Sequence, residues 1–283
     1  MSLIRQPIAQ SFYPGDCRSQ IKNFITGFKE LPALPDNLCG AVLPHAGWYY
    51  SGGVAARTLF QLSQCCQPET GVIFGTDHYG VERHTLFPMG EWVTPLGKLA
   101  VDKEIVRQLI KGQSGLLQCD FRAHEPEHSI EVLTPMIYYF WPEIKLVPII
   151  VKHDPSAVYL GRLVAKIIQG LGKNAVFLAS SDLTHYGAVY GMEPAGSGPE
   201  AYYWMQKNDQ RMIKLLCNMI VERILDETNQ HHNACGGGAL TALLSTLVSI
   251  GVDRGFLVEY ATSHAEQPRE HFHTAVGYAG VVY

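Results

Sequence analysis

Ala175-Val-Phe-Leu-Ala-Ser-Ser-Asp-Leu-Thr-His185-Tyr-Gly187 is a short apolar run that ends in a polar turn carrying a histidine. A continuous aliphatic and aromatic run of this length predicts a strand buried on both faces. Two other stretches repeat the pattern: Cys39-Gly-Ala-Val-Leu-Pro-His45-Ala-Gly47 and Gly71-Val-Ile-Phe-Gly-Thr-Asp-His78-Tyr-Gly80. The Gly or Asp after each run lets the chain turn sharply into the next helix. In open α/β sheets, ligands and reacting groups collect at the carboxyl ends of such strands. Three imidazoles delivered to one edge predict a metal or acid–base site.

Around these strands, helical and extended patterns alternate. Arg18 to Phe28, Gly52 to Leu62, Ser156 to Gln169, Glu200 to Leu216 and Ala239 to Ile250 read as helices, and so does the stretch from His128 to Tyr139. Residues 84–101 read as an extended excursion with a turn at Thr94-Pro-Leu-Gly97, followed by a helix with Asp102 as its N-cap. Lys145–Val151, Gly255–Ala261 and Gly277–Tyr283 read as further strands. The alternation predicts one α/β domain spanning residues 1–283.

The chain has 283 residues, 47% hydrophobic and 17% charged, enough for a sizeable core. A net charge of −4 without a basic cluster argues against nucleic acid as a partner. The opening Met1-Ser-Leu-Ile-Arg-Gln-Pro7 lacks the apolar core of a signal peptide, and no run reaches the roughly 20 apolar residues of a membrane span. The expectation is a cytoplasmic protein without a membrane partner. Seven scattered cysteines, an odd number with no CxxC pair, fit reduced thiols.

Several residues are candidates for chemistry, each with a plainer alternative. His45 lies among small residues that let a ligand approach, or it is simply satisfied by backbone hydrogen bonds. Asp77 either orients His78 or caps a turn. Asp182 precedes His185 by three residues, so the carboxylate can hold one imidazole tautomer, as a general base requires. The alternative is an Asx-turn. His128 and Glu131 would share a face if helical, as ligands or as a surface pair. Cys235, in His231-His-Asn-Ala-Cys235-Gly-Gly-Gly238, precedes a helix, where a thiol pKa falls and suits a nucleophile or metal ligand. The glycines there would open the backbone to a substrate. His264, His271 and His273 read as surface loop residues. Trp48, Tyr49, Tyr79 and Tyr186 are placed to receive a planar ligand or to pack.

Taken in order, Arg5…Phe12-Tyr-Pro14, Pro44-His-Ala-Gly47, Gly75-Thr-Asp-His78, Glu127-His-Ser-Ile-Glu131, Ser180-Ser-Asp-Leu-Thr-His185-Tyr-Gly187 and Ala234-Cys-Gly236 resemble the Memo-like proteins, whose bacterial and archaeal members are called AmmeMemoRadiSam system protein B. That family is similar in fold to class III extradiol dioxygenases of the LigB type, so the resemblance implies a central mixed sheet flanked by helices. It implies a metal held by His45, His78 and Cys235, with the cysteine where the dioxygenases use a glutamate. His185 with Asp182 matches the catalytic histidine, and His128 matches another pocket histidine. Ligands of this kind suit Fe(II) or Cu, with Zn as a third choice. The family name also implies AMMECR1-like and radical SAM partners. A thiolate ligand is easily oxidised, so ring cleavage does not follow from the shared fold. The leading expectation is a metal-dependent redox enzyme acting on a small molecule. The competing one is a non-catalytic module that binds a peptide or partner protein in the same cleft. A cysteine-nucleophile hydrolase ranks last, because it leaves His45 and His78 without a role.

Overall fold

The computed structural model describes every residue except 1, 2, 30, 32, 33, 114 and 269. The main sheet uses nine strands: β1 (Gly40–Leu43), β2 (Thr70–Thr76), β3 (His84–Leu86), β4 (Leu117–Cys119), β5 (Lys145–Val151), β6 (Ala175–Ser180), β7 (His185–Tyr186), β8 (Phe256–Thr262) and β9 (Ala275–Val282). Their order is β7-β9-β1-β6-β2-β5-β3-β4, with β8 also paired to β9. The four central strands, β1, β6, β2 and β5, are mutually parallel. Strand β9 runs antiparallel to β1, and β7 and β8 each pair antiparallel with β9, so the sheet is mixed.

The apolar runs of the sequence are these central strands. β1 and β2 are buried at every position, which is why their sequences show no polar alternation. Five helices cover the sheet or its carboxyl edge: α1 (Trp48–Ser63), α2 (Ser156–Leu171), α3 (Pro199–Cys217), α4 (Ile224–His231) and α5 (Gly237–Ser249). Helices α2 and α5 approach so closely at Gly161 that an added Cβ would lie 2.4 Å from the Ala242 carbonyl. Thr58 of α1 likewise fills the space left by Gly280 in β9.

Residues 84–101 form the expected excursion, with a turn between strands Glu91–Thr94 and Gly97–Ala100. Those strands and Ile4–Arg5 make a small second sheet. Asp102 caps its helix by accepting from Glu104 N and Ile105 N. Helix α1 begins at Trp48, four residues earlier than its pattern suggests, because Trp48 itself is buried against the core. The helix expected from His128 starts later, as a 3₁₀ turn at Glu131–Leu133 leading into Thr134–Phe140. His128 therefore lies in the loop before it, and the His128–Glu131 pair does not share a helical face. No helix among the described residues is long and apolar enough to cross a membrane.

Candidate metal centre

The strand ends bring their histidines together. His45 follows β1, His78 follows β2, and His128 comes from the loop that precedes Glu131. One ring nitrogen from each lies within 4.8 Å of the others. The His78 and His128 rings stack, with centroids 4.7 Å apart and planes 17° apart, and His45 stands edge-on to both. His45 is 2% exposed, His128 is half-buried and His78 is exposed.

Cys235, remote in the sequence, lies beside His45 and is not one of those three ring-nitrogen donors. Its Sγ lies 3.5 Å from His45 Nε2 and accepts from the Asp182 backbone N–H at 3.2 Å. A tetrahedral ion with nitrogen and sulfur ligands at about 2.1 and 2.3 Å separates the two donors by about 3.6 Å. The observed spacing suits two donors to one ion as well as a sulfur–imidazole hydrogen bond, and a donor set of imidazoles and a thiolate fits zinc, copper or iron. Burial pushes the Cys235 thiol up, but the His45 and His78 imidazoles outweigh it and bring the pKa down to about 6. Burial lowers the His45 pKa and so favours the neutral ring that a metal needs. For His78, the lowering by burial is overcome by the Cys235 sulfur and the Glu127 carboxylate, which raise it to about 10 in the metal-free chain.

Glu127, not Asp77, orients His78. The His78 Nδ1–H donates to Glu127 Oε1 at 2.9 Å, and the His78 backbone N–H donates to Oε2 at 3.0 Å. Asp77 caps the turn instead, accepting from the backbone N–H groups of Tyr79, Gly80 and Val81. The role of Glu127 is not legible in the sequence, because it lies 49 residues from His78.

Glu131 does not face the histidines. It is buried, ion-paired to Arg5 at 3.0 Å, and accepts from Ile8 N, Ala9 N and the Tyr13 hydroxyl. Arg5 also donates to the backbone carbonyls of His124 and Glu127 at 2.7 and 3.1 Å. This knot ties residues 5–13 to the loop that carries His128 and lays Phe12 against the His128 ring at 4.9 Å. The Arg5 and Tyr13 positions of the opening motif thus act through the loop.

The Asp182 carboxylate is buried at the base of the cavity, where its Oδ1 accepts from the backbone N–H groups of His45 and Ala46. Burial pushes its pKa up, and the His185 charge pulls against that rise. His185 Nδ1 donates to the Leu183 carbonyl at 3.1 Å, so its contact with Asp182 is through charge. The three glycines after Cys235 make room for protein. A Cβ at Gly236 would lie 2.6 Å from Thr76 Oγ1 and 2.7 Å from the Ser180 carbonyl, and one at Gly238 would lie 2.6 Å from the Lys152 carbonyl. They dock the start of α5 onto the strand ends and so place Cys235, rather than opening the backbone to a substrate.

A cavity of about 410 Å³ opens over this cluster, reaching His45, His78, His128, Asp182 and His185. Its aromatic walls are Phe12, Tyr50, Tyr190 and Tyr278. Of the aromatics singled out in the sequence, Trp48 and Tyr186 are packing residues, their polar atoms bound to the carbonyls of Val132 and Gly196. Tyr49 and Tyr79 are exposed. His264 also reaches the cavity and packs on Tyr202 and Phe272, whereas His271 and His273 are surface residues with their rings near each other.

The family described as "Memo-like protein" matches residues 5–282. The chain belongs to the Memo-like family. It is similar to the MEMO1 family protein TK1477 of Thermococcus kodakarensis, with 34% identity covering 99% of each chain. It is also 33% identical to the MEMO1 family protein PH1626 of Pyrococcus horikoshii, covering 97% of each. Among solved structures, the uncharacterized protein JW3007 of Escherichia coli K12 shares the fold at a TM-score of 0.54 and 14% identity, covering 87% of this chain and 99% of that one.

Proposed function

We propose that the chain is a metal-dependent redox enzyme in which His45, His78 and Cys235 hold iron or copper, with His128 beside them. The observation that carries this reading is the 3.5 Å approach of Cys235 Sγ to His45 Nε2 within reach of two further imidazoles, below an open cavity. A bound ion supplies one-electron redox chemistry and Lewis acidity at the cavity floor.

The surrounding residues act on the substrate. Because the Leu183 carbonyl can only accept, His185 carries its proton on Nδ1 and keeps the Nε2 lone pair. A substrate hydroxyl or acidic carbon in the cavity loses its proton to Nε2, and the Asp182 charge steadies the imidazolium that forms. The rings of Phe12, Tyr50 and Tyr190 line the cavity and favour a flat, small ligand. Asp182 also pins the backbone at His45, so one carboxylate supports both the metal ligand and the base.

A second reading has one observation in its favour. Tyr49, Tyr50, Val189 and Tyr190 are exposed apolar residues, and Tyr50 and Tyr190 line the cavity mouth. A peptide or partner protein bound there would need no metal. Anaerobic purification with elemental analysis and electron paramagnetic resonance separates the two. One iron or copper per chain, lost in His45→Ala, supports the enzyme. Partner binding that is unaffected by full metal removal supports the module.

A further inference from the structure

We propose that the segment Glu127-His128-Ser129, acting with Ser180, holds a proton on Nδ1 of His45 and of His78, so that Nε2 is the nitrogen each ring offers to a metal ion. The metal consequence rests on the function proposed above; the tautomer assignment does not.

Counting protons fixes the first ring. Ser180 has a single hydroxyl proton, and its Oγ lies 2.7 Å from the Ser129 carbonyl. A carbonyl only accepts, so that proton is committed. Ser180 Oγ also lies 2.7 Å from His45 Nδ1, and there it has only lone pairs to offer. His45 must therefore carry its proton on Nδ1. Nε2, the atom facing Cys235, is then the nitrogen the ring offers to an ion. Both serines are buried, so water does not compete for these groups.

His78 is fixed by the other end of the same segment. Glu127 Oε1 accepts from His78 Nδ1 and from the Ser129 backbone N–H at 2.8 Å. A carboxylate only accepts, so Nδ1 of His78 holds a proton and Nε2 is the nitrogen left for a ligand bond. The Ser129 hydroxyl donates to the Thr76 carbonyl at 3.1 Å and ties the segment to the end of β2. The two residues flanking His128 thus act on the two rings packed against it. Glu127 and Ser180 act through the Nδ1 atoms of the two imidazoles; they are positioning residues. Partners of this kind are worth about 10- to 100-fold in metal affinity.

Long-range ¹H–¹⁵N correlation spectra of the metal-free full chain, labelled at histidine nitrogens, read the tautomer directly. The His45 signals are assigned by their loss in His45→Gln. The expected result is a proton on Nδ1 of His45; a proton on Nε2 overturns the proposal. In Ser180→Ala, His45 is expected to shift to the Nε2–H form, and Zn²⁺ affinity measured against a competing chelator is expected to fall about 10- to 100-fold. Ser180→Thr, which keeps the hydroxyl, is expected to recover most of that loss. Unchanged Zn²⁺ affinity in Ser180→Ala also overturns it. If Ser180→Ala does not fold, the wild-type spectrum still decides. If the wild-type chain holds no Zn²⁺ at all, the metal reading fails while the tautomer result stands.

Discussion

Replacing Glu131 with alanine removes the acceptor on which the N-terminal segment is tied. The carboxylate and the Arg5 guanidinium are each 2% exposed, and Ile8 N, Ala9 N and the Tyr13 hydroxyl also donate to the same group. Removing one partner of a buried ion pair costs about 3–5 kcal/mol. Each donor stranded without water adds about 1–3 kcal/mol, but these losses share one relaxation and do not add in full. Arg5 keeps its bonds to the His124 and Glu127 carbonyls, which limits the loss. A net destabilisation of about 4 kcal/mol is expected, a large share of the about 5–15 kcal/mol typical of a folded chain. Urea unfolding followed by fluorescence measures it. Hydrogen exchange at Ile8 and Ala9 tests the mechanism, because their amides should lose protection even where the rest of the chain keeps it. A loss under about 1 kcal/mol, with those amides still protected, would refute the claim that this knot holds the loop of His128.

Asp209 sets a pH dependence away from the metal cluster: burial raises its carboxyl to about 6, against the hydrogen bonds from Thr184 and Tyr260. The folded chain therefore keeps this proton where the unfolded chain, with a pKa of about 3.9, has released it. Its contribution to stability is greatest below about pH 4 and is lost as pH rises through about 6, a change of about 3 kcal/mol; Asp209→Asn should abolish that difference between urea midpoints at the two pH values. Gly236→Ala should destabilise by about 1–3 kcal/mol and displace Cys235, because the new Cβ meets Thr76, Ser180 and Ser181 at 2.6–2.7 Å. Gly170→Ala, in α2 with nothing within 4 Å, should instead stabilise by up to about 1 kcal/mol; thermal melts of the two variants should move in opposite directions.

The central strands are legible in the sequence because a parallel strand covered on both faces leaves an unbroken apolar run, as in Val72–Phe74 and Val176–Ala179. The positions of His45, His78 and His185 follow from the rule that such strands end at the site. Helix Ile224–His231 leaves no clear signature because it is short and mostly polar. The sequence neighbours of His128 point to a helix, while Arg5 and Glu131 hold its loop from more than 100 residues apart. Spacing along the chain carries no record of such contacts. The same applies to Glu127 and Ser180, whose roles lie in which protons they accept and donate. The glycines after Cys235 are visible, but only the neighbouring strands show that they are there for close packing.

X-ray absorption at the edge of the bound metal, on protein purified without oxygen, tests the central claim most directly. The predicted result is imidazole scattering together with one sulfur at about 2.3 Å, the sulfur signal vanishing in Cys235→Ala. A first shell without sulfur in the wild-type protein, or one unchanged in Cys235→Ala, would contradict it.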